Sequence, residues 1–349
     1  MKIRTMILAC TAMALAMAFS SAAAFAAPGE NVGGTGESVM WNVATLAPKR
    51  IGWSRNLDEI VIPFLNRETE GNLHLKVFWG GIMGDDSESL VKMRKGLLDG
   101  LGLSGRGATL LLPEMQVLQL PFMFRDYDEV DYVKSRMVGT FSRMLADRGV
   151  YMLGWIDQDF DQVYSIDKPY SGVEDFKGAT IHTWFGAIEE EVIQALDARP
   201  LHLTVPESLP AARKKEFDVG MGPALWFVGA QLYSVFRYVN PMSIRYSPAL
   251  VVVRMDSWQE LPERYRGKIG AKRHEVMDLF SRKIRMDNEQ ALEAMSRYGL
   301  TVVYSTPEEI KGMRRVTRPI REELAGKEYP RSLLEELTGH LEEYRSAKH

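Results

Sequence analysis

The sequence predicts an α/β protein built of two lobes, and three observations carry that expectation. Short apolar or alternating runs, such as LHLKVFW at residues 73–79 and LVVVR at 250–254, recur between amphipathic segments. That order implies a mainly parallel sheet covered by helices on both faces. The chain has 349 residues, more than the roughly 250–300 that a single core organises, and suits two lobes. Its 46% hydrophobic and 26% charged residues are those of a water-soluble globular protein.

Residues 1–26 stand apart from this pattern. Lys2 and Arg4 precede an apolar run over residues 6–19, and Ala24-Phe25-Ala26 closes it with small residues. This is the layout of a secretory signal peptide cut before Ala27. The run is shorter than the ~20 residues a bilayer core requires, which argues against a permanent anchor. Cys10 is the only cysteine, so cleavage leaves no disulfide, thiolate metal ligand or cysteine nucleophile. Cleavage also removes two basic residues and no acidic one, moving the net charge from −3 to −5. A mildly acidic chain has no broad attraction for nucleic acid.

Residues 27–38, APGENVGGTGES, read as a flexible leader. A first strand covers 39–46 and stops at Ala47-Pro48. Trp53, Leu57, Ile60, Val61, Phe64 and Leu65 then recur at helical spacing. A second strand at 73–79 is followed by a helix between Gly84 and Gly100, with Leu90, Met93, Leu97 and Leu98 on one face and Asp85 or Asp86 as its N-cap. Further strands are expected at 150–155, 162–166, 180–183, 201–203, 218–221 and 250–254. From Pro262 to about Tyr298 the chain is long, charged and periodic, as in an extended surface helix. A last strand at 300–304 leads into a helical tail from Pro307.

Signatures of catalysis are missing. The six histidines show no zinc-ligand spacing; His274-Glu275 opens an HExxH pattern, but Asp278 stands where the second histidine is needed. Gly102-Leu103-Ser104-Gly105 misses the spacing of a nucleophile elbow. No phosphate-binding GxxxxGK[ST] loop occurs, and the GxGxxG spacing of GLGLSG at 100–105 does not follow a strand. Asp157 and Asp159 read as acids on a solvated loop. The sequence therefore predicts no enzyme, no metal site and no cofactor.

Several stretches, taken in order, resemble the DctP family, the periplasmic solute-binding proteins of TRAP transporters. They are ATLAP at 44–48 followed by Trp53, GIMGDD at 81–86, LPFMFRDY at 120–127, EDFKG at 174–178, and YSP at 246–248 running into LVVVR, Trp258 and Leu261-Pro262. The resemblance spans about residues 39–304. It implies a two-lobed periplasmic binding protein fold with twisted sheets, hinge strands crossing between lobes and a long C-terminal spanning helix. The limits it implies are 39–161 with 251–349 for the first lobe and the C-terminal helices, and 162–250 for the second. It also implies a function: one small molecule is enclosed between the lobes and delivered to a TRAP-type membrane permease.

Against that family, three ligand-reading positions are altered. Most members carry an arginine in the strand after the EDFKG-like turn, where it grips a carboxylate through two bonds; here the position holds His182. An imidazole near neutral pH offers one donor and one acceptor in place of a charged fork. A second family arginine aligns at or next to Asp161, and an asparagine before proline aligns with Gly222. Phe160, Trp184, Trp226 and Tyr233 crowd the same neighbourhood with rings. Trp53 and Arg106 are expected from the first lobe, with His182, Trp184 and Trp226 from the second. Such a cleft favours a ligand other than a simple small carboxylate: a cation drawn to ring faces and an acid, or a bulky apolar molecule. Other readings stay open. Arg106 could supply a substitute anion contact and restore a carboxylate ligand. The cleft could be the relic of a sensory or interaction module, and His182 could be a satisfied histidine without ligand contact.

Overall fold

A computed structural model describes residues 38–184 and 186–348. The expected signal peptide, and all of the expected leader but its last residue, lie outside the described residues.

The first half of the fold alternates strands and helices: β1 (Val39–Thr45), α1 (Trp53–Asn56), a π-helical turn (Leu57–Val61), α2 (Ile62–Glu68), β2 (Leu73–Phe78), α3 (Asp86–Arg94), β3 (Gly100–Leu103), α4 (Gly105–Leu111) and α5 (Tyr127–Ala146). β1 pairs in parallel with both β2 and β3, as the alternation requires. Asp85 starts α3 through a reciprocal cap: its carboxylate accepts the Glu88 N–H at 2.9 Å, and Glu88 accepts the Asp85 N–H at 3.1 Å.

β4 (Val150–Ser165) is one strand where the sequence predicts two. Register shifts at Met152/Gly154, Asp157/Asp159 and Asp161/Val163 bend it without breaking it, and the polar stretch that reads as a loop is a bulged strand centre. The second half follows: α6 (Val173–Phe176), β5 (Thr180–Thr183), α7 (Ala187–Ala195), β6 (Arg199–His202), α8 (Val205–Arg213), β7 (Val219–Gly222) and α9 (Ala224–Gly229). β5 runs parallel to β6 and β7. β8 (Tyr238–Arg254) then pairs antiparallel with β4 from Ser165↔Tyr238 to Val150↔Arg254. The chain ends with α10 (Met255–Glu260), α11 (Glu263–Arg297), β9 (Thr301–Val302), α12 (Pro307–Thr317), α13 (Ile320–Leu324) and α14 (Arg331–Ala347).

The nine strands form a single sheet in the order β2-β1-β3-β8-β4-β7-β5-β6, with β9 added beside β8. The two long central strands belong to both halves. Side-chain alternation along β8 separates two faces. Leu250 and Val252 enter a core that runs unbroken from Leu90 and Phe141 in the first half to Ile181 and Val192 in the second. Ala249, Val251 and Val253 enter a different core, with Trp41, Phe64 and Phe280, confined to the first half. On that second face the other half has its own core around Tyr164, Phe227 and Phe236. α11 spans both: Met277, Phe280 and Ile284 fill one core, and Ala291 and Met295 fill the other. Its 35 residues extend about 50 Å. α12 and α13 reach back to pack on α6 and α7. No helix among the described residues is long and apolar enough to cross a membrane.

Candidate ligand-binding cleft

Two pairs of parallel strands, β1 with β3 and β5 with β7, run in opposite directions and bring their carboxyl ends together between the two separate cores. Thr45 ends β1, Ser104 follows β3, Trp184 follows β5 and Pro223 follows β7, and all four residues line one cavity of about 180 Å³. Gln158 from β4 and Ala249 from β8 complete it. A crevice at the carboxyl ends of strands, between two halves of a sheet, is where α/β folds place ligands.

Three indoles dominate the walls: Trp53 from α1, Trp184, and Trp226 from α9. Each is half-buried. Two glycines let the rings approach the sheet. A Cβ on Gly102 would stand 2.8 Å from Cζ3 of Trp53, and one on Gly222 would stand 3.1 Å from Cε3 of Trp226. Only a hydrogen at those positions leaves the rings where they are.

The polar lining consists of Thr45, Ser104 and Gln158. Ser104 caps α4 by accepting the Gly107 N–H at 3.3 Å and donates to the buried Asp86 carboxyl. Burial pushes Asp86 up to about 6. Gln158 Oε1 accepts the Gly105 N–H at 2.7 Å. Among the described residues, no ionisable side chain lines the cavity.

Of the nine residues singled out from sequence, Trp53, Trp184 and Trp226 line this cavity. The other six are placed elsewhere. His182 is 2% exposed and lies behind Trp226, its ring stacked on the indole with centroids 5.4 Å apart and its Nε2 3.1 Å from Ser208 Oγ. Burial holds its pKa below the ordinary value, with Glu189 opposing, so the imidazole is a neutral core group. Gly222 is buried beneath the Trp226 ring. Phe160 is packed edge-on between Tyr127 and Tyr246, and Tyr233 contacts Tyr298.

Asp161 is fully buried and engaged. Arg245, opposite it on β8, donates Nε to Asp161 Oδ2 at 2.5 Å and Nη2 to Glu189 Oε1 at 3.3 Å. Burial pushes Asp161 up to about 6; Arg245 opposes that shift and Glu189 adds to it. The other oxygen of Glu189 accepts the Trp184 N–H at 2.9 Å and the Thr183 hydroxyl. Arg106 in turn donates Nη1 to the Trp184 carbonyl at 2.6 Å. Both backbone groups of Trp184 are thereby fixed, and Arg106 anchors the wall without joining the lining.

The solvated-loop reading of Asp157 and Asp159 is also corrected, because both are buried on β4. Asp157 is compensated by Lys134 at 3.1 Å, Arg285 at 2.7 Å and the Tyr246 hydroxyl at 2.5 Å. Tyr127 donates to Asp159. Sequence reasoning missed Gln158, which stands between these two acids, and Arg245. Period-two alternation through residues 156–161, continuing the flanking strands, was the available signal for Gln158.

A continuous sheet with a cleft between paired cores, closed by two crossing strands and lined for contact rather than reaction, defines an α/β solute-binding protein. Residues 63–328 match the family model described as DctP, bacterial extracellular solute-binding protein, family 7, and the chain belongs to that family. It is a family of binding proteins, not enzymes. A solute-binding protein of Chromohalobacter salexigens is 22% identical over 203 residues, which is 58% of this chain and 60% of that protein's length. A TRAP periplasmic solute-binding protein of Ochrobactrum anthropi, solved with its C-terminus bound in the ligand-binding pocket, superposes with a TM-score of 0.80 at 21% identity, covering 89% of this chain and 97% of that one. The sugar acid-binding protein of Advenella mimigardefordensis, in complex with galactonate, gives a TM-score of 0.81 at 18% identity, covering 88% and 99%.

Proposed function

We propose that this protein is exported, captures an uncharged, bulky apolar solute in the cleft between its two sheet halves, and delivers it in the periplasm to a TRAP-type permease. The observation that carries the reading is the lining: three indoles and aliphatic side chains, with no ionisable group among the described residues. A carboxylate placed there would lose its hydration without gaining a counter-charge, a cost of several kcal/mol or more. A cation would meet the indole faces but no free acid, since the nearby Asp161 is already paired with Arg245. Family membership supports the binding role. The galactonate held by the Advenella protein belongs to that protein's own cleft.

Closure is proposed to move residues 39–161 with 251–349 against 162–250. Those limits fall inside β4 and β8, where bending at the bulges serves as the hinge. The test is mass spectrometry of the solute released from gently isolated protein. A neutral, apolar molecule is expected. A dicarboxylate or sugar acid overturns the reading, and the consistent absence of any solute favours the interaction module instead.

A further inference from the structure

The uncharged-solute reading can be carried to a chemical class, on which it does not itself depend. Three of the chain's seven tryptophans converge on one cavity. Its volume of about 180 Å³ is slightly above the ~150 Å³ of an apolar protein cavity that takes up benzene. One ring with a small substituent fits it. Flat ring faces of tryptophan make offset and edge-on contacts with a second ring that an aliphatic chain cannot reproduce.

Gln158 adds a polar reading to this shape. Its two amide ends are distinguished by chemistry, since a backbone N–H can only donate and the Gly105 N–H points at one end at 2.7 Å. That end is Oε1, so the other is Nε2, with two N–H donors. The Ser247 hydroxyl lies on the same Oε1 at 3.4 Å. Among the described residues Nε2 has no hydrogen-bond partner, and the residue lines the cavity. A donor shut in with an apolar solute requires an acceptor from that solute.

We propose that the solute is an uncharged single-ring aromatic compound bearing one carbonyl-type acceptor, with Trp53, Trp184 and Trp226 enclosing the ring and Gln158 Nε2 donating to the acceptor. The lining offers no counter-charge, the volume accommodates one ring, and the Gln158 amide sets the orientation.

The test is titration of purified protein with acetophenone, cyclohexyl methyl ketone, benzoate, benzylamine and galactonate, followed by tryptophan fluorescence and melting temperature. Acetophenone is expected to quench the fluorescence and raise the melting point, with the charged probes at least tenfold weaker. Gln158→Glu keeps an acceptor for the Gly105 N–H and removes the donors, so acetophenone affinity should fall at least tenfold while the ligand-free melting point holds. Equal binding of the cyclohexyl ketone overturns the aromatic assignment and leaves the uncharged reading standing. Preference for benzoate or galactonate overturns both. An unchanged affinity in Gln158→Glu overturns the role of the amide. Silence of every probe overturns the class, and the released-solute measurement then judges the uncharged reading separately.

Discussion

Arg106 Nη1 and the carbonyl oxygen of Trp184 stand 2.6 Å apart, and their bond crosses from the first half of the sheet to the second. Trp184 is also held on its own side through its N–H, at 2.9 Å from Glu189. The arginine therefore ties the halves together at the indole that walls the cleft. A hydrogen bond from a charged group contributes about 1.5–3 kcal/mol where buried and less where partly exposed, and Arg106 is partly exposed. Arg106→Ala should weaken solute binding by roughly 5- to 30-fold, about 1–2 kcal/mol, with little change in the melting point of the ligand-free protein. Calorimetric titration of the released solute decides it. An unchanged affinity would mean that the bond does not favour the closed arrangement.

His182 and Trp226 lie face to face with centroids 5.4 Å apart, and the imidazole also packs 5.3 Å from the Phe217 ring. Truncating a buried ring leaves a cavity, and Ser208 would lose the partner of its hydroxyl. His182→Ala should therefore destabilise the ligand-free protein by roughly 2–4 kcal/mol, read as a lower urea midpoint. Weakened binding with undiminished stability would instead return His182 to the solute's surface.

The contrast between these residues shows how far a sequence can be read. The strand-helix alternation, the capped start of α3 and the long periodic α11 follow from local spacing, which the chain carries wherever it folds. Trp53, Trp184 and Trp226 are legible through the family resemblance, which sets them beside the cleft, and Trp184 also by lying one residue past the end of β5. Gln158 and Arg245 are different. Their roles depend on the bulged pairing of β4 with β8, a contact between segments 84 residues apart at Asp161 and Arg245. Polar residues clustered at a strand centre look like a loop until the partner that neutralises them is known. The same non-local pairing turns Asp161 from a cleft residue into a buried ion-pair member.

Arg245 serves two buried acids, Asp161 and Glu189, and all three side chains are at most 3% exposed. Removing the cation leaves two carboxylates in the interior facing each other. Arg245→Met should cost about 3–5 kcal/mol of stability, the usual loss when one partner of a buried pair is deleted. Adding Asp161→Leu and Glu189→Gln to the same chain removes the stranded charges and should recover most of that loss. Chemical denaturation of the single and triple variants makes the comparison, and a triple variant no more stable than Arg245→Met would show that packing, not charge, holds this corner.

Asp159 titrates in the opposite sense to His182. Burial pushes its carboxyl up to about 7 from an ordinary 3.8; the Tyr127 hydroxyl and the Phe160 N–H oppose the shift, and Asp161 and Asp157 reinforce it. Between those values the native protein holds a proton that the unfolded chain has released. The group's contribution to stability is therefore complete below the unfolded value and is lost as pH rises through the native one. His182, held below its ordinary value, works the other way and costs stability on acidification. Asp159→Asn keeps a neutral side chain beside Tyr127 and abolishes the titration. Relative to wild type, the variant should gain in melting temperature between about pH 4.5 and about pH 7.5, because only wild type loses this contribution over that range. The difference between the two proteins cancels the terms they share, including that of His182. A difference that stays constant across the range would place the Asp159 proton outside the folding equilibrium.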